Sequence, residues 1–274
     1  MNISIGGYSF FNTFKEGKMD VFGYLETVKY RYRLDTVDLW NGFFVDRSGP
    51  IPKLADEDYI RKIKEALDEK EMTVVNFAID GAHLWDPDPD MRARLYDNAL
   101  EHLRAAETLG ARTVRIDTGG SYEHVETLTD EQFEHIVARY REYARRAADF
   151  GYKIGPENHM GASLIPAEMK RIAEAVDHPS FGILLHIGRW REDPEHGDAI
   201  VAPWTVHTHF DAKTLTSPDA IDKVRMLLQQ GYTGYWGIEQ NSPDNQYAEI
   251  EWMVAGVKKV VHDAARQQTE EGSE

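Results

Sequence analysis

The chain has 274 residues, no cysteine and a formal net charge of −16 at pH 7. Without cysteine it forms no disulfide, no thiolate metal site and no cysteine nucleophile. The excess of acidic residues disfavours nucleic acids and anionic membranes as partners, because both repel a negatively charged surface.

The chain carries no sign of membrane targeting. Its first residues, MNISIGGYSF, lack the basic region and long apolar run of a secretory signal peptide. A bilayer-spanning helix needs about 18 or more consecutive apolar residues, and the sequence contains no such stretch. We therefore expect a cytoplasmic protein that does not enter a membrane.

Eight short runs rich in β-branched and aromatic residues recur at intervals of roughly 20 to 40 residues. In chain order they are ISIGGYSF, TVDLWNGFF, TVVNFAID, TVRIDTGG, YKIGPENH, FGILLHIG, WTVHTHFD and YWGIEQNS. Segments with apolar residues at three- and four-residue spacing lie between them and predict helices. Two of these helices are expected to end at Gly110 and Gly151, because glycine is common just past a helix C-terminus.

Strands alternating with helices predict an α/β fold with parallel strands. Eight such units in about 250 residues are typical of a (β/α)8 TIM barrel. A doubly wound open sheet would need a glycine-rich fingerprint after the first strand, and Gly6-Gly7-Tyr8 does not supply one. We expect a single barrel over residues 1–265 and a disordered tail over residues 266–274.

Polar residues end four consecutive predicted strands: Glu157, His186, His209 and Glu239. In a TIM barrel these ends converge on one face. Any one of them alone has a simpler explanation, such as a solvated carboxylate at the rim or a hydrogen-bonded histidine in the core. Buried together they would be costly unless paired or bound to a cation. The set predicts one divalent metal ion, since Mn, Co, Fe and Zn all accept carboxylate and imidazole ligands.

The motifs PENHMG, GILLHIG, HTHFDAK and GYWGIEQ contain these residues. Through them nearly the whole chain resembles the xylose isomerase-like TIM-barrel superfamily of sugar isomerases and epimerases, which also includes inosose dehydratases and endonuclease IV. The resemblance implies that a Glu, an Asp, a His and a Glu from strands five to eight hold one divalent cation. Glu157, His209 and Glu239 match that pattern, whereas His186 stands where the family usually has Asp.

The histidine at position 186 changes the charge of the expected site. Three carboxylates around a divalent ion leave a charge of about −1, whereas two carboxylates and two neutral imidazoles leave the site near neutral. We therefore expect a transition ion, Mn first and Co, Fe or Zn as alternatives, in preference to magnesium. In the alternative interpretation, His186 lies behind the ligands and water completes the coordination sphere.

Histidines close to the expected ligands are further candidates. His207 competes with His209 for the position on strand seven, faces the same way and lies deeper. His159, two residues after Glu157 on the same face, is a candidate general base or, alternatively, a loop-capping residue.

Aromatic and polar residues near the strand ends are candidates for contact with substrate, because sugar rings and flat aglycones bury well against aromatic faces. The set is Trp40, His83, Trp85, Asp117, Arg189 and His207. Arg189 and Arg191 follow strand six directly and could hold an oxyanion or a carboxylate. The sequence has no glycine-rich phosphate loop, which disfavours a phosphorylated sugar.

The expected chemistry is enolisation, in which a divalent ion holds a carbonyl and its neighbouring hydroxyl while a base removes the hydrogen on the carbon between them. Glu157, His159 and Glu239 are the expected catalytic residues. The aromatic strand ends and the Glu157-Asn158-His159 triplet are similar to the catalytic alpha subunits of C-glycoside deglycosidases. That resemblance implies a lyase acting on 3-oxo-glycosides, with a small β-rich partner subunit, in a homo- or hetero-oligomer.

Three other functions are alternatives to the lyase. An isomerase or epimerase of a non-phosphorylated ketose or aldose would use the same enolisation and return the proton instead of expelling a leaving group. Phosphodiester cleavage of the endonuclease IV kind would need a basic groove, which the acidic charge disfavours. A barrel without catalytic activity is disfavoured by the retained Glu157 and Glu239.

Overall fold

The computed structural model describes residues 1–271 and contains a closed barrel of eight parallel strands in that part of the chain. The strands are β1 (Ile3–Ile5), β2 (Thr36–Trp40), β3 (Thr73–Ile79), β4 (Thr113–Ile116), β5 (Lys153–Gly155), β6 (Ile183–His186), β7 (Thr205–Phe210) and β8 (Trp236–Ile238). Each lies within one of the eight runs recognised in the sequence. The TIM-barrel prediction is therefore confirmed.

A helix follows each strand along the chain. The helices are α1 (Val21–Glu26, continued by one π turn), α2 (Glu57–Glu69), α3 (Pro89–Leu109), α4 (Asp130–Phe150), α5 (Pro166–Val176), α6 (Gly197–Val201), α7 (Ala220–Gln229) and α8 (Gln246–Glu271). As predicted, Gly110 and Gly151 form the C-terminal caps of α3 and α4, both in the left-handed conformation. Thr129 and Gln132 form a capping box at the start of α4.

The barrel consists of two four-stranded sheets. One contains β2, β3, β4 and β5, and the other contains β6, β7, β8 and β1. Two seams join them. Gly6 pairs with Asp38 at the β1–β2 seam, and Glu157 pairs with Leu184 at the β5–β6 seam, both in parallel orientation. The strand ends that carry the predicted ligands therefore lie on one face of a closed ring.

Short elements that follow the strands build up this face. A 3-10 turn (Gly7–Phe10) and a short helix (Phe11–Lys15) follow β1, and another short helix (Ala212–Leu215) follows β7. A small antiparallel hairpin, Val45–Asp46 with Lys53–Leu54, follows β2 and was not expected from the sequence. These insertions add side chains around the mouth of the barrel.

The C-terminal segment differs from expectation. The last helix, α8, continues to Glu271, so residues 266–271 are helical, in contrast to the disordered tail that the sequence predicts for residues 266–274. A helix of this length gains cooperatively from each added turn, which local composition does not reveal. The rest of that tail, residues 272–274, lies outside the described residues. Within residues 1–271 no helix is long and apolar enough to cross a membrane.

Candidate active site

The segment that follows β5 shapes the base of the site. A side chain at Gly155 would collide with the Gly182 carbonyl, so glycine lets β5 and β6 approach closely here. The buried amide of Asn158 then joins the two strand ends. Its Nδ2 donates to the His186 carbonyl at 2.8 Å, and the His186 amide donates to its Oδ1 at 2.7 Å. Asn158 therefore fixes the end of β6 relative to Glu157.

The four predicted ligands meet above the barrel interior. Each of the four side chains offers one possible ligand atom, and these four atoms lie within 4.8 Å of one another. The residues are Glu157, His186, His209 and Glu239. The Nδ1 atoms of both histidines face the carboxylates. His186 Nδ1 lies 3.3 Å from Glu157 and 3.4 Å from Glu239, and His209 Nδ1 lies 3.4 Å and 3.6 Å from the same two residues.

A buried carboxylate below the site orients its histidine. Asp38 Oδ2 lies 2.8 Å from His209 Nε2 and 2.7 Å from His207 Nε2. Its other oxygen accepts a hydrogen bond from Asn76 at 2.7 Å. A carboxylate on Nε2 leaves Nδ1 of His209 directed at the cluster, which is how supporting residues usually hold a metal-binding imidazole.

The charges of the cluster compensate one another. Burial lowers the pKa of His209, but the Asp38 carboxylate outweighs burial and raises that pKa well above its usual value. Burial and the Arg189 guanidinium lower the pKa of His186, but hydrogen bonds to nearby carboxylates outweigh both and raise it to about 9. Burial raises the pKa of Glu157, whereas hydrogen bonds from the two histidines bring it well below its usual value. The arrangement thus favours protonated imidazoles opposite ionised carboxylates.

This donor set fits a divalent ion. Two carboxylates and two imidazoles belong to the ligand chemistry of Mn, Co, Fe and Zn. Two imidazolium protons carry the same charge as one divalent ion, so an ion that displaces both protons leaves the charge of the cluster unchanged. Glu157, His186, His209 and Glu239 are the residues that would hold it.

A cavity of about 800 Å³ opens beside the cluster. Its lining includes aromatic side chains at one end, among them Tyr8, Phe11 and Trp40, together with Glu239 from the cluster. The Trp40 indole donates to Asp80 Oδ2 at 2.7 Å, which holds the ring in place. A cavity of this size admits a sugar, or a sugar with a further substituent.

A second polar network adjoins the cavity around Arg115. This guanidinium is buried and lies 3.0 Å from Asp80, 2.9 Å from Asp117 and 3.4 Å from Glu157. The Nδ1 atom of His159 lies 2.9 Å from Asp117 Oδ2. Arg115 therefore connects the carboxylate partner of His159 with the proposed ligand Glu157.

His159 has polar partners on both ring nitrogens. Besides Asp117 on Nδ1, the Tyr122 hydroxyl lies 2.5 Å from Nε2. Burial lowers the pKa of His159, but the Asp117 carboxylate outweighs burial and raises it above the usual value. The imidazole and the Tyr122 hydroxyl both line the cavity, so a proton could pass between His159 and the cavity through that hydroxyl.

The structure places most, but not all, of the predicted substrate contacts at the cavity. Trp40, His83, Asp117 and Arg189 line it. Trp85 does not; its ring packs against the Arg92 guanidinium at 4.4 Å. His207 also lies outside the lining, fully buried beneath Asp38, so a direct contact between His207 and substrate is not supported. Glu157 is likewise buried and reaches the cluster but not the cavity wall.

Residues 35–256 match the family described as Xylose isomerase-like TIM barrel. The chain belongs to this family. No curated protein matches its sequence.

Solved structures resemble this xylose isomerase-like barrel over most of its length. An L-ribulose 3-epimerase superposes with a TM-score of 0.73 at 14% identity, covering 98% of this chain and 97% of its own. The 3-keto-D-glucoside 4-epimerase YcjR from E. coli gives 0.67 at 13% identity, covering 88% and 94%. A xylose isomerase-like protein from Mycobacterium smegmatis in complex with magnesium gives 0.65 at 14% identity, covering 89% and 90%. At these identities the likeness shows the fold alone.

Sequence reasoning missed three residues of the xylose isomerase-like site: Asp38, Asp80 and Arg115. Asp38 and Arg115 interrupt the apolar runs TVDLW and TVRI, and a charged residue inside a barrel strand is costly to bury without a partner. That signal was present in the sequence. Asp80 directly follows β3, where a polar residue is common, and its role depends on Trp40 and Arg115, which are distant in sequence.

Proposed function

We propose that the chain is a divalent-metal-dependent enzyme that enolises a carbonyl sugar and returns the proton, as an epimerase or isomerase. The main support is the juxtaposition of the four-residue cluster with an 800 Å³ cavity that Glu239 and His159 both line. The relatives that are epimerases of ribulose and of a keto-glucoside favour this function over the lyase expected first from the sequence.

The bound ion would supply Lewis-acid polarisation of the sugar carbonyl. Glu239 is the proposed base. Burial raises its pKa, but the charge on His209 and other neighbours outweigh burial and bring the pKa to about 2, so the carboxylate is ionised at neutral pH. It would remove the hydrogen from the carbon beside the carbonyl.

His159 is the proposed partner that returns a proton. The Asp117 carboxylate raises its pKa and so favours the imidazolium form, and Tyr122 and Asp117 fix its ring from both sides. Trp40 and the neighbouring aromatic rings would bury one face of the sugar and exclude water from the reacting carbon.

Solvent deuterium tests this function directly. Free ketoses, free aldoses and a 3-oxo-glucoside are incubated with metal-loaded enzyme in D₂O, and we expect deuterium at the carbon beside the carbonyl together with interconverted sugar. Glu239→Gln should reduce exchange by at least about 10²-fold, the usual contribution of a positioned base. Glu65→Gln, on the exposed face of α2, makes the same charge change away from the site. Exchange that survives Glu239→Gln would contradict the assignment.

A lyase remains the second candidate because of His159, which could protonate a leaving group in the cavity. In a 3-oxo-glycoside, the hydrogen beside the carbonyl leaves, a double bond forms to the anomeric carbon, and the aglycone departs with a proton from the imidazole. His159→Ala should then slow aglycone release by about 10²- to 10⁴-fold. The assay includes any small β-rich partner subunit, and turnover of free sugars alone would exclude the lyase.

A further inference from the structure

The wall of the cavity formed by the segments after β6 and β7 is basic. Arg189, Arg191 and Lys213 all contribute to its lining. The chain as a whole has 31 basic and 47 acidic residues and a net charge of −16. The local charge thus opposes the charge of the whole molecule.

Part of this wall is neutralised: Arg189 lies 3.4 Å from Glu239, which also lines the cavity, and 3.3 Å from the buried Glu157. The other two acidic residues of the lining are paired elsewhere. Asp80 and Asp117 are both paired with Arg115, at 3.0 Å and 2.9 Å. By contrast, Arg191 and Lys213 are exposed, and neither belongs to an ion pair within residues 1–271. Their charges are therefore free to act on a ligand.

A side cavity of about 110 Å³ extends the basic wall. Gly188, Arg189 and Lys213 line both this cavity and the main one. The remaining lining of the side cavity comprises Ile187, Asp211, Thr214, Ser217 and Lys223. Three basic side chains and two hydroxyls thus surround a space large enough for one small polar group.

The acidic residue in that lining already has partners. The Asp211 carboxylate lies 3.4 Å from His186 Nε2 and accepts from the Thr214 amide at 2.7 Å. Lys223 lies 3.2 Å from Asp219. Lys213 is the cation of the side cavity without an ion pair among the described residues, and it shares the lining of the main cavity with Arg191.

We propose that this basic wall is a subsite for an anionic substituent of the substrate, a carboxylate or a phosphate, with Arg191 and Lys213 as its specificity-determining residues. The inference rests on the proposed function and narrows its substrate class to acidic sugar derivatives. A negatively charged protein surface repels anions in general, so unpaired cations confined to the cavity would select an anionic sugar at that point.

Matched pairs of sugars test the subsite by binding alone. Isothermal titration of the metal-loaded protein compares D-glucuronate with D-glucose, D-galacturonate with D-galactose, and D-glucose 6-phosphate with D-glucose. At least one anion should bind with an affinity at least about ten times that of its neutral parent. An effect of this size is expected from one well-placed charge pair. A preference for the uronates identifies a carboxylate subsite, and a preference for the phosphate ester identifies a phosphate subsite.

Variants test whether Lys213 and Arg191 cause the preference for anionic sugars. In Lys213→Gln and Arg191→Gln the ratio of anionic to neutral affinity should fall toward one. Lys62→Gln, an exposed lysine on α2 away from the cavity, should keep the ratio of the natural protein. Equal affinities for all pairs, no detectable binding of any anion, or an unchanged ratio in both variants would overturn the subsite.

The same titrations separate this inference from the proposed function. Deuterium exchange into neutral sugars without any preference for anions would leave enolisation standing and remove the subsite. Preferential binding of anions without exchange into any sugar would keep the subsite and count against enolisation.

Discussion

His186 is the residue at which this site departs from the carboxylate that the resemblance implies. Its Nδ1 faces both Glu157 and Glu239, at 3.3 Å and 3.4 Å, which supports the proposal that His186 is a ligand over the alternative that it lies behind the ligands. An imidazole in place of a carboxylate makes the site softer and less negative, and both changes disfavour magnesium.

Replacing this histidine should change the metal preference. We expect His186→Asp to raise the affinity for magnesium relative to manganese and cobalt, because a third carboxylate supplies a hard oxygen ligand. Titration of metal-free protein with each ion gives the ratio. His262→Asp, on the exposed side of α8, is the matched control. A ratio that does not change would show that His186 is not a ligand.

Protons and the metal ion compete for the same imidazoles, which predicts opposite pH trends for two forms of the protein. The pKa of His186 is raised from 6.5 to about 9 in the folded metal-free protein. Its stabilising contribution is therefore complete below pH 6.5 and disappears as pH rises through 9, at about 1.4 kcal/mol per pKa unit. Metal affinity should instead rise over this range as the proton is lost.

Denaturant unfolding between pH 6.5 and 9 measures both trends. The chelator-treated protein should lose stability toward pH 9, whereas protein at a fixed, limiting concentration of manganese should gain metal-dependent stability. Parallel curves for the two forms would contradict proton displacement by the ion.

At the scale of elements, the end of α4 allows the cost of a left-handed backbone conformation to be measured without a steric contribution. Gly151 caps α4 with φ of 80°, and a Cβ built there would meet nothing within 4 Å. Gly151→Ala should therefore destabilise the protein through backbone strain alone, by about 1 kcal/mol. Gly49→Ala, at an exposed position with only an ordinary contact to Ile51, should have little effect. Denaturation midpoints compare the two, and equal changes would refute the strain argument.

The sequence predicts a helix or strand well where a regular spacing of apolar residues marks the face that is buried. All eight strands and both glycine caps follow from such patterns, and so does the convergence of Glu157, His186, His209 and Glu239. The sequence does not predict which side chains of distant strands contact each other. The bond from Asp38 to His209 joins residues 171 positions apart, and nothing local in either strand specifies it. The placement of His207 below the cavity depends on its own hydrogen bond with Asp38, 169 positions away.

At the scale of the molecule, the two sheets share the candidate site unequally. Glu157 follows the last strand of the first sheet, whereas His186, His209 and Glu239 belong to the second sheet or follow it directly. Asp38, in the first sheet, holds His209 from the opposite seam. The polar cluster therefore connects the two halves of the barrel at both places where they meet.

Such a connection predicts that metal removal lowers global stability. An ion that binds the folded chain alone stabilises it by about 2.7 kcal/mol at a concentration of 100 times its Kd. Thermal unfolding should shift upward with manganese and return to the metal-free value after chelation. A melting temperature independent of metal would argue against a site that spans both sheets.

The seams are also where we expect the barrel to open first. At the β5–β6 seam the Gly182 and Leu184 amides donate to the Ile154 and Pro156 carbonyls, at 3.1 Å and 2.9 Å, beside the isolated bridges that join the sheets. Brief separation of the halves would expose these amides to solvent while the amides inside each sheet stay protected. An ion held across the seam would suppress that separation, so the rate of hydrogen exchange at Gly182 and Leu184 becomes a local reporter of metal occupancy.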